Sequence, residues 1–182
     1  MTLGDLPQDE AVACRRRRLD RLLRPARIAF VGGRSVYRPA RRCREDGFQG
    51  EIRIVNPEAS SIDDIPGHRS IQDLPWAPDA AFVAVRRELT IRAVQDLSAM
   101  GAGGAVCYAS GFAETGQDGA RAQTELIAAA AGMPFLGPNC YGLVNYVDGV
   151  TLWPGDHGGS RVKRGVAILT QSGNMGFNLS MS

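Results

Sequence analysis

Arg27-Ile28-Ala29-Phe30-Val31-Gly32-Gly33-Arg34-Ser35 and Glu51-Ile52-Arg53-Ile54-Val55-Asn56-Pro57 are two apolar runs, each breaking into turn residues, and the stretch between them reads as a short helix from Pro39 to Asp46. Strand, glycine turn, helix and strand make a βαβ unit, whose two strands lie parallel and are joined by a right-handed crossover. Pro39 suits the first turn of the helix and Gly47 its exit. In an open parallel sheet the loops leaving the carboxyl ends of the strands line a crevice, and the helix that follows turns free amide groups toward it. The turn from Gly32 to Ser35 is therefore the expected ligand site and a phosphorylated molecule its expected occupant. Arg34, Arg38, Arg41 and Arg42 add positive charge nearby.

Working outward, Gln8 to Leu23 reads as a helix with Val12, Leu19, Leu22 and Leu23 as its apolar positions, Arg15 to Arg18 on a solvated face, and Pro25 as its stop. Glu58 to Pro75 is a polar connection with room for one helical turn. A third strand, Asp79 to Val85, is uniformly apolar, as a strand covered on both faces should be. A helix from Glu88 to Met100 follows, with Gly101 as its cap. Gly104 to Tyr108 is the fourth strand and breaks into Ala109-Ser110-Gly111-Phe112-Ala113-Glu114-Thr115-Gly116. A helix from Asp118 to Ala131 leads to a fifth strand, Met133 to Leu136, ending in Gly137-Pro138-Asn139-Cys140. Strand and helix alternate throughout, which indicates an α/β fold with a Rossmann-type, doubly wound parallel sheet.

The composition then shifts. Asp148 to Arg164 is rich in glycine and reads as an extended connection, Gly165-Val166-Ala167-Ile168-Leu169 as a sixth strand, and Thr170-Gln171-Ser172-Gly173-Asn174 as the turn into another helix. The expected division is an N-terminal helix over 1–24, a sheet domain over 25–147, a linker over 148–164, and over 165–182 the truncated start of a second α/β domain.

Several functions are excluded at this stage. The 182 residues carry a net charge of only +2, so no global basic field points to nucleic acid or to a membrane surface. No apolar run approaches the ~20 residues needed to span a bilayer, and no apolar segment follows the N-terminal charges, so the expected location is cytoplasmic. The four cysteines and two histidines are scattered without metal-ligand spacing, so no metal site is expected; His68 and His157 read as surface or linker residues. The single lysine, Lys163, lies outside any phosphate-loop motif. Gly32-Gly33 falls short of the dinucleotide fingerprint G-x-G-x-x-G, and the second strand ends in Asn56 rather than an acid that would hold a ribose.

The loops after the five strands nevertheless converge on one edge, and here the chain resembles a known family, the NDP-forming acyl-CoA synthetases, which include the ADP-forming acetate–CoA ligases and the α-subunit of succinyl-CoA synthetase. The resemblance rests on Leu23-Arg24-Pro25, Val55-Asn56-Pro57, Ser110-Gly111-Phe112-Ala113-Glu114-Thr115-Gly116, Gly137-Pro138-Asn139-Cys140-Tyr141-Gly142 and Thr170-Gln171-Ser172-Gly173, in that order. It implies an N-terminal CoA-binding domain followed by a flavodoxin-like ligase domain. It implies that CoA is held by Gly32, Gly33, Arg34, Ser35, Asn56, Pro57, Val85, Arg86, Ser110, Gly111, Glu114 and Asn139. Thr170, Ser172, Gly173 and Asn174 would bind the phosphate of a phosphohistidine intermediate.

Neither histidine of this chain matches the family's phosphorylated one, so no catalytic residue is expected here. ATP, ADP and Mg would belong to ligase and ATP-grasp modules supplied in cis or by a partner subunit, with an oligomer among the assemblies this leaves open. Two positions depart from the family pattern: Glu58-Ala59 stands where relatives carry a basic residue, and Val85-Arg86 where they carry Val-Pro, with Arg86 placed to restore the charge. A non-catalytic CoA-binding regulatory or scaffold module is the alternative reading, and an NAD-binding redox protein the third. The motifs do not specify which carboxylic acid is joined to CoA.

Overall fold

A computed structural model describes residues 8–181; the outer ends of the first and last expected segments, residues 1–7 and 182, lie outside the described residues. Six strands form one parallel sheet: β1 (Arg27–Val31), β2 (Glu51–Val55), β3 (Gly67–His68), β4 (Ala80–Val83), β5 (Gly104–Cys107) and β6 (Phe135–Leu136). Their order is β3-β2-β1-β4-β5-β6, so the chain reverses direction across the sheet between β1 and β4. That reversal is the switch point at which the loops of a doubly wound sheet part into a crevice.

Alternation along the strands divides the core into two layers. Ala29, Ala81 and Ala105 stand in register on one face and, with Val31, Val55, Val83 and Cys107, meet Val94, Leu97 and Leu126 of helices α3 (Arg87–Met100) and α4 (Gln117–Ala130). The row of small side chains lets both helices lie close to the sheet. Ile28, Phe30, Ile52, Ile54 and Phe82 face the other way, against Val36, Ala40 and Cys43 around α2 (Tyr37–Glu45) and Leu22 of α1 (Gln8–Leu23). Gly101 ends α3 at φ +84°, a conformation that glycine adopts without a Cβ penalty. Arg21 fastens α1 through Asp79, with Nε to Oδ1 at 2.7 Å, while Oδ2 accepts from the amides of Ala26 and Arg27 at 2.9 and 3.1 Å.

Beyond the sheet the structure departs from expectation. Leu143–Asn145 and Val150–Leu152 pair antiparallel as a hairpin, β7 and β8, and bury Val150 and Leu152 on the α2 side. Residues 148–164, expected to be a plain extended connection, therefore carry a strand and the buried side chains of Thr151, Leu152, Trp153 and His157. The expected sixth strand does not form: residues 165–169 are unpaired, with Val166 and Leu169 each 92% exposed. Their β-favouring composition has no neighbouring strand to pair with among the described residues, and a lone strand leaves its backbone groups to water. The helix expected after that segment is present as α5 (Gly173–Ser180). Among the described residues, no helix is long and apolar enough to cross a membrane.

Candidate coenzyme site at the switch point

Each loop at the carboxyl edge is stitched to its neighbour by the backbone or by one side chain. Gly32 donates to Val55 O at 2.9 Å, joining the first turn to the end of β2. Ser35 Oγ donates to Ala84 O at 3.4 Å, joining it to the loop after β4. Arg87 donates to Gly111 O at 2.9 Å, and Asn139 N donates to Ala109 O at 2.8 Å, so the edge is held as a series out to β6. Gly32 is required there: at φ +154°, a Cβ would stand 2.8 Å from Ala84 O and 2.9 Å from Val36 Cγ1. Gly33 is different, since a Cβ there would meet nothing within 4 Å and would project into the open space above the turn.

The groups lining this edge suit a polyanion with polar arms. Arg34 and Arg86 are exposed and make no ion pair among the described residues, whereas Arg38, Arg41 and Arg42 are paired with Asp156, Asp63 and Asp46. Three of the arginines that the sequence places near the turn are thus engaged elsewhere. Asn56 is buried, and its Oδ1 accepts from the amides of Glu58 at 2.9 Å and Ser60 at 3.4 Å. Its Nδ2 has no acceptor among the described residues, and neither has Nε2 of the adjacent His68. Buried donors without partners cost stability and mark a place where a ligand's acceptors would be welcome. A glycine cradle, two free guanidinium groups and orphaned donors fit the phosphates and polar arm of CoA.

Glu114 plays another part. Its carboxylate accepts from Gly111 N at 2.7 Å and closes the loop after β5 on itself. Hydrogen bonds from its own amide, and then from those of Gly111 and Phe112, outweigh its slight desolvation and hold it below its ordinary value of 4.5. Ser110 and Asn139 are exposed on either side of this loop, Asn139 at φ +54°, and Pro57 and Val85 complete the rim. The Thr170–Asn174 turn stands apart from the rim: Ser172 caps α5 by accepting from Met175 N at 3.3 Å, and Thr170 Oγ1 accepts from Ser172 N at 3.1 Å. The link between the two regions is a row of rings that the sequence reading missed. Tyr108 stacks on Tyr141 at 6.2 Å between centroids, and Tyr141 meets Trp153 edge-on at 5.4 Å. Tyr141 stood in plain view inside the Gly137-to-Gly142 motif.

A cavity of about 390 Å³ lies elsewhere, near the C-terminus of α2, and is lined in part by Asp46, Tyr146, Thr151, His157 and Arg161. His157 lies in the expected linker segment but is not at the surface. Its side chain is fully buried and its Nε2 lies 2.8 Å from Asp46 Oδ2, an oxygen that Thr151 Oγ1 also shares. Arg42 adds an ion pair to Oδ1 at 2.9 Å. Burial, followed by the charge of Asp46, pushes the neighbouring Tyr146 phenol above its ordinary value. This cluster pins the segment after β8 to α2. Because α2 runs antiparallel to the strands, the cluster lies at the opposite edge of the sheet from the crevice. The converging loops and the unpaired cations are at the crevice, not at this cavity. No group of three or more His, Cys, Asp or Glu residues is placed to hold a metal ion among the described residues.

Residues 26–146 match the family model described as a CoA binding domain. The chain belongs to that family. Among curated proteins, it is 36% identical over 141 residues to a trans-feruloyl-CoA synthase of an unknown prokaryotic organism, covering 74% of this chain and 20% of that protein. It is 33% identical over 135 residues to the ADP-forming acetate–CoA ligase II of Archaeoglobus fulgidus, covering 70% and 20%. Among solved structures, the apo dinucleotide-forming acetyl-coenzyme A synthetase 1 of Candidatus Korarchaeum cryptofilum superposes with a TM-score of 0.76 at 27% identity, covering 89% of this chain and 36% of that one. PH0766 of Pyrococcus horikoshii gives 0.79 at 25% identity, covering 89% and 38%. The CoA-binding domain thus spans about a fifth of these curated relatives' length, and its homologues include acid–CoA ligases of the ADP-forming type.

Proposed function

We propose that this chain is the CoA-binding portion of an NDP-forming acyl-CoA ligase, which joins a carboxylic acid to CoA at the expense of ATP and releases ADP and phosphate. The observation that carries the reading is the convergence at the switch point of the Gly32–Gly33 turn, the unpaired Arg34 and Arg86, and the orphaned amide of Asn56. The turn's amides and the two guanidinium groups bind phosphate oxygens. Asn56 and the loops ending in Ser110 and Asn139 orient the ribose and the pantetheine arm, and Glu114 keeps the middle loop in shape. Arg86 supplies the positive charge that Glu58 does not.

When bound, CoA supplies the thiol that becomes the thioester; this chain's residues hold and aim it. Thr170, Ser172, Gly173 and Asn174 receive the phosphoryl group at the N-terminus of α5, where open amides and the helix dipole favour an anion. The phosphorylated histidine, the ATP-grasp module and its Mg come from further domains in cis or from a partner subunit, and the exposed segment from Val166 to Leu169 becomes a strand only when the ligase domain supplies a neighbour to pair with it. The assembled enzyme works in the cytoplasm, where CoA and ATP are held.

Calorimetric titration with CoA, dephospho-CoA and NAD tests the reading. Tight CoA binding, weaker dephospho-CoA binding and no heat from NAD are expected. Binding of NAD without CoA would overturn it.

A further inference from the structure

One ridge of α2 runs from the crevice to the opposite edge of the sheet. The 3-10 turn Arg34–Val36 leads straight into α2, so Arg34, Arg38, Arg42 and Asp46, four apart, follow one another along it. Three of the four hold the same two residues of the segment after β8. Arg38 Nη2 donates to Asp156 Oδ2, Arg42 Nη2 donates to His157 O at 3.2 Å, and Asp46 Oδ2 lies 2.8 Å from His157 Nε2. The two ends of this clamp differ. At the far end the side chain of His157 is fully buried and that of Asp46 is 14% exposed, whereas at the crevice end those of Arg38 and Asp156 are 68% and 50% exposed. Parting a buried pair strands its members in the interior, so the far end is fixed. An exposed pair contributes little and yields to any better partner. Neither Arg38 nor Asp156 makes another hydrogen bond or ion pair among the described residues.

We propose that Asp156 is a built-in competitor for the coenzyme's phosphates: it draws Arg38 down the helix, and a phosphate entering beside Arg34 takes Arg38 from it. The inference rests on the CoA reading and adds a control to that same site. Arg34 stands one turn of about 5.4 Å nearer the crevice, and helical side chains lean toward the N-terminus, so the exchange needs only a new rotamer of one exposed side chain. The phosphates win because they bring more than one charge and several oxygens that a guanidinium fork grips in pairs, against the single charge of Asp156. Once Asp156 is released, the segment after β8 is held to this ridge by Arg42 and Asp46 alone. That segment continues to Gly158, whose amide donates to Ser180 O at 2.6 Å, so occupation of the crevice is felt beside α5. By linkage, CoA weakens the Arg38–Asp156 contact by the same factor that the contact subtracts from CoA affinity.

The test is a calorimetric titration with CoA of the full chain, Asp156→Asn, Arg38→Gln and the double variant, at a temperature where circular dichroism shows all four folded. Asp156→Asn is expected to bind CoA about three- to fivefold tighter, the scale of one exposed ion pair set free. Arg38→Gln should bind about tenfold weaker, and in that background Asp156→Asn should gain nothing. A purely structural role for Asp156 in seating α2 gives the opposite sign, since losing it would then weaken the site. Unchanged or weaker binding by Asp156→Asn, with CoA bound by the unmodified chain, therefore overturns the exchange and leaves the CoA reading standing. An equal gain in the Arg38→Gln background overturns it as well, because Asp156 would then act on the phosphates by its own charge rather than through Arg38. If the unmodified chain binds no CoA, the CoA reading falls and the exchange with it.

Discussion

Adjacent glycines in the first turn should respond to the same substitution in opposite ways. Gly32→Ala puts a methyl group 2.8 Å from Ala84 O and 2.9 Å from Val36 Cγ1, at a positive φ that a side chain rarely tolerates. The backbone strain costs about 1–3 kcal/mol and the overpacking about as much again, so the fold should lose about 2–6 kcal/mol. Gly33→Ala meets nothing within 4 Å and should cost the fold less than about 1 kcal/mol. Its methyl group, however, occupies the space that the proposed function gives to the pyrophosphate, and on that reading CoA affinity should fall about tenfold or more. Urea denaturation followed by circular dichroism measures the first effect, as a drop in midpoint on the order of 1–2 M. Calorimetric CoA titration at a temperature where both variants are folded measures the second. An unchanged midpoint for Gly32→Ala would show that the turn is not sterically fixed. Unchanged CoA affinity for Gly33→Ala would show that the ligand does not lie over this turn.

Arg86→Glu is expected to weaken CoA binding by at least about tenfold and to flatten its dependence on salt, because the exposed guanidinium proposed to meet phosphate is replaced by a charge of the phosphate's own sign; titrations at two ionic strengths read both effects. Glu114 is held below its ordinary value, so its stabilisation of the Gly111 loop is fully present above about pH 4.5 and is lost as pH falls through the lowered value. The protection of the Gly111 amide against exchange, relative to its intrinsic rate at each pH, should fall in that acid range, and Glu114→Gln should remove the pH step. Asp46→Ala strands Thr151 and His157 in the interior and should cost about 3 kcal/mol in urea, with faster exchange at His157 and Gly158 than in the sheet. Burial pushes the thiols of Cys43 and Cys107 up to about 12, so a thiol reagent at pH 8 should label Cys14 in the native protein and reach those two only on unfolding.

The parts of the fold written locally were the parts the sequence disclosed. Arg27–Val31 and Glu51–Val55 form strands over the expected residues, and Gln8–Leu23 the expected helix, because apolar runs and breakers mark their ends. Strand β3 has two residues and the β7–β8 hairpin three on each side, too short to show a period. Glycines misled where they serve close packing. A Cβ on Gly149 would lie 3.0 Å from Asp46 O, and one on Gly159 would overlap the Tyr146 ring, so a stretch that reads as a loose linker is seated closely. The Asp46–His157 pair joins residues 111 apart in the chain, which no spacing rule connects. For the candidate site, the loops were legible because they follow strands. The engagement of Arg38, Arg41 and Arg42 elsewhere was not, and that is what singles out Arg34 and Arg86.

The bare segment from Gly165 to Leu169 is held at both sides. Val162 N donates to Tyr146 O at 3.1 Å before it, and Gly158 N donates to Ser180 O at 2.6 Å after α5, so the intervening chain is a closed loop rather than a loose tail. Its conformational search is already curtailed, and the entropy of ordering it onto another strand is smaller than for a free end of equal length. The same readiness cuts the other way in isolation. With Val166, Ile168 and Leu169 turned to water and their backbone unpaired, this loop is an edge on which two copies of the chain can stack, and concentrated preparations should associate through it before they associate through the sheet.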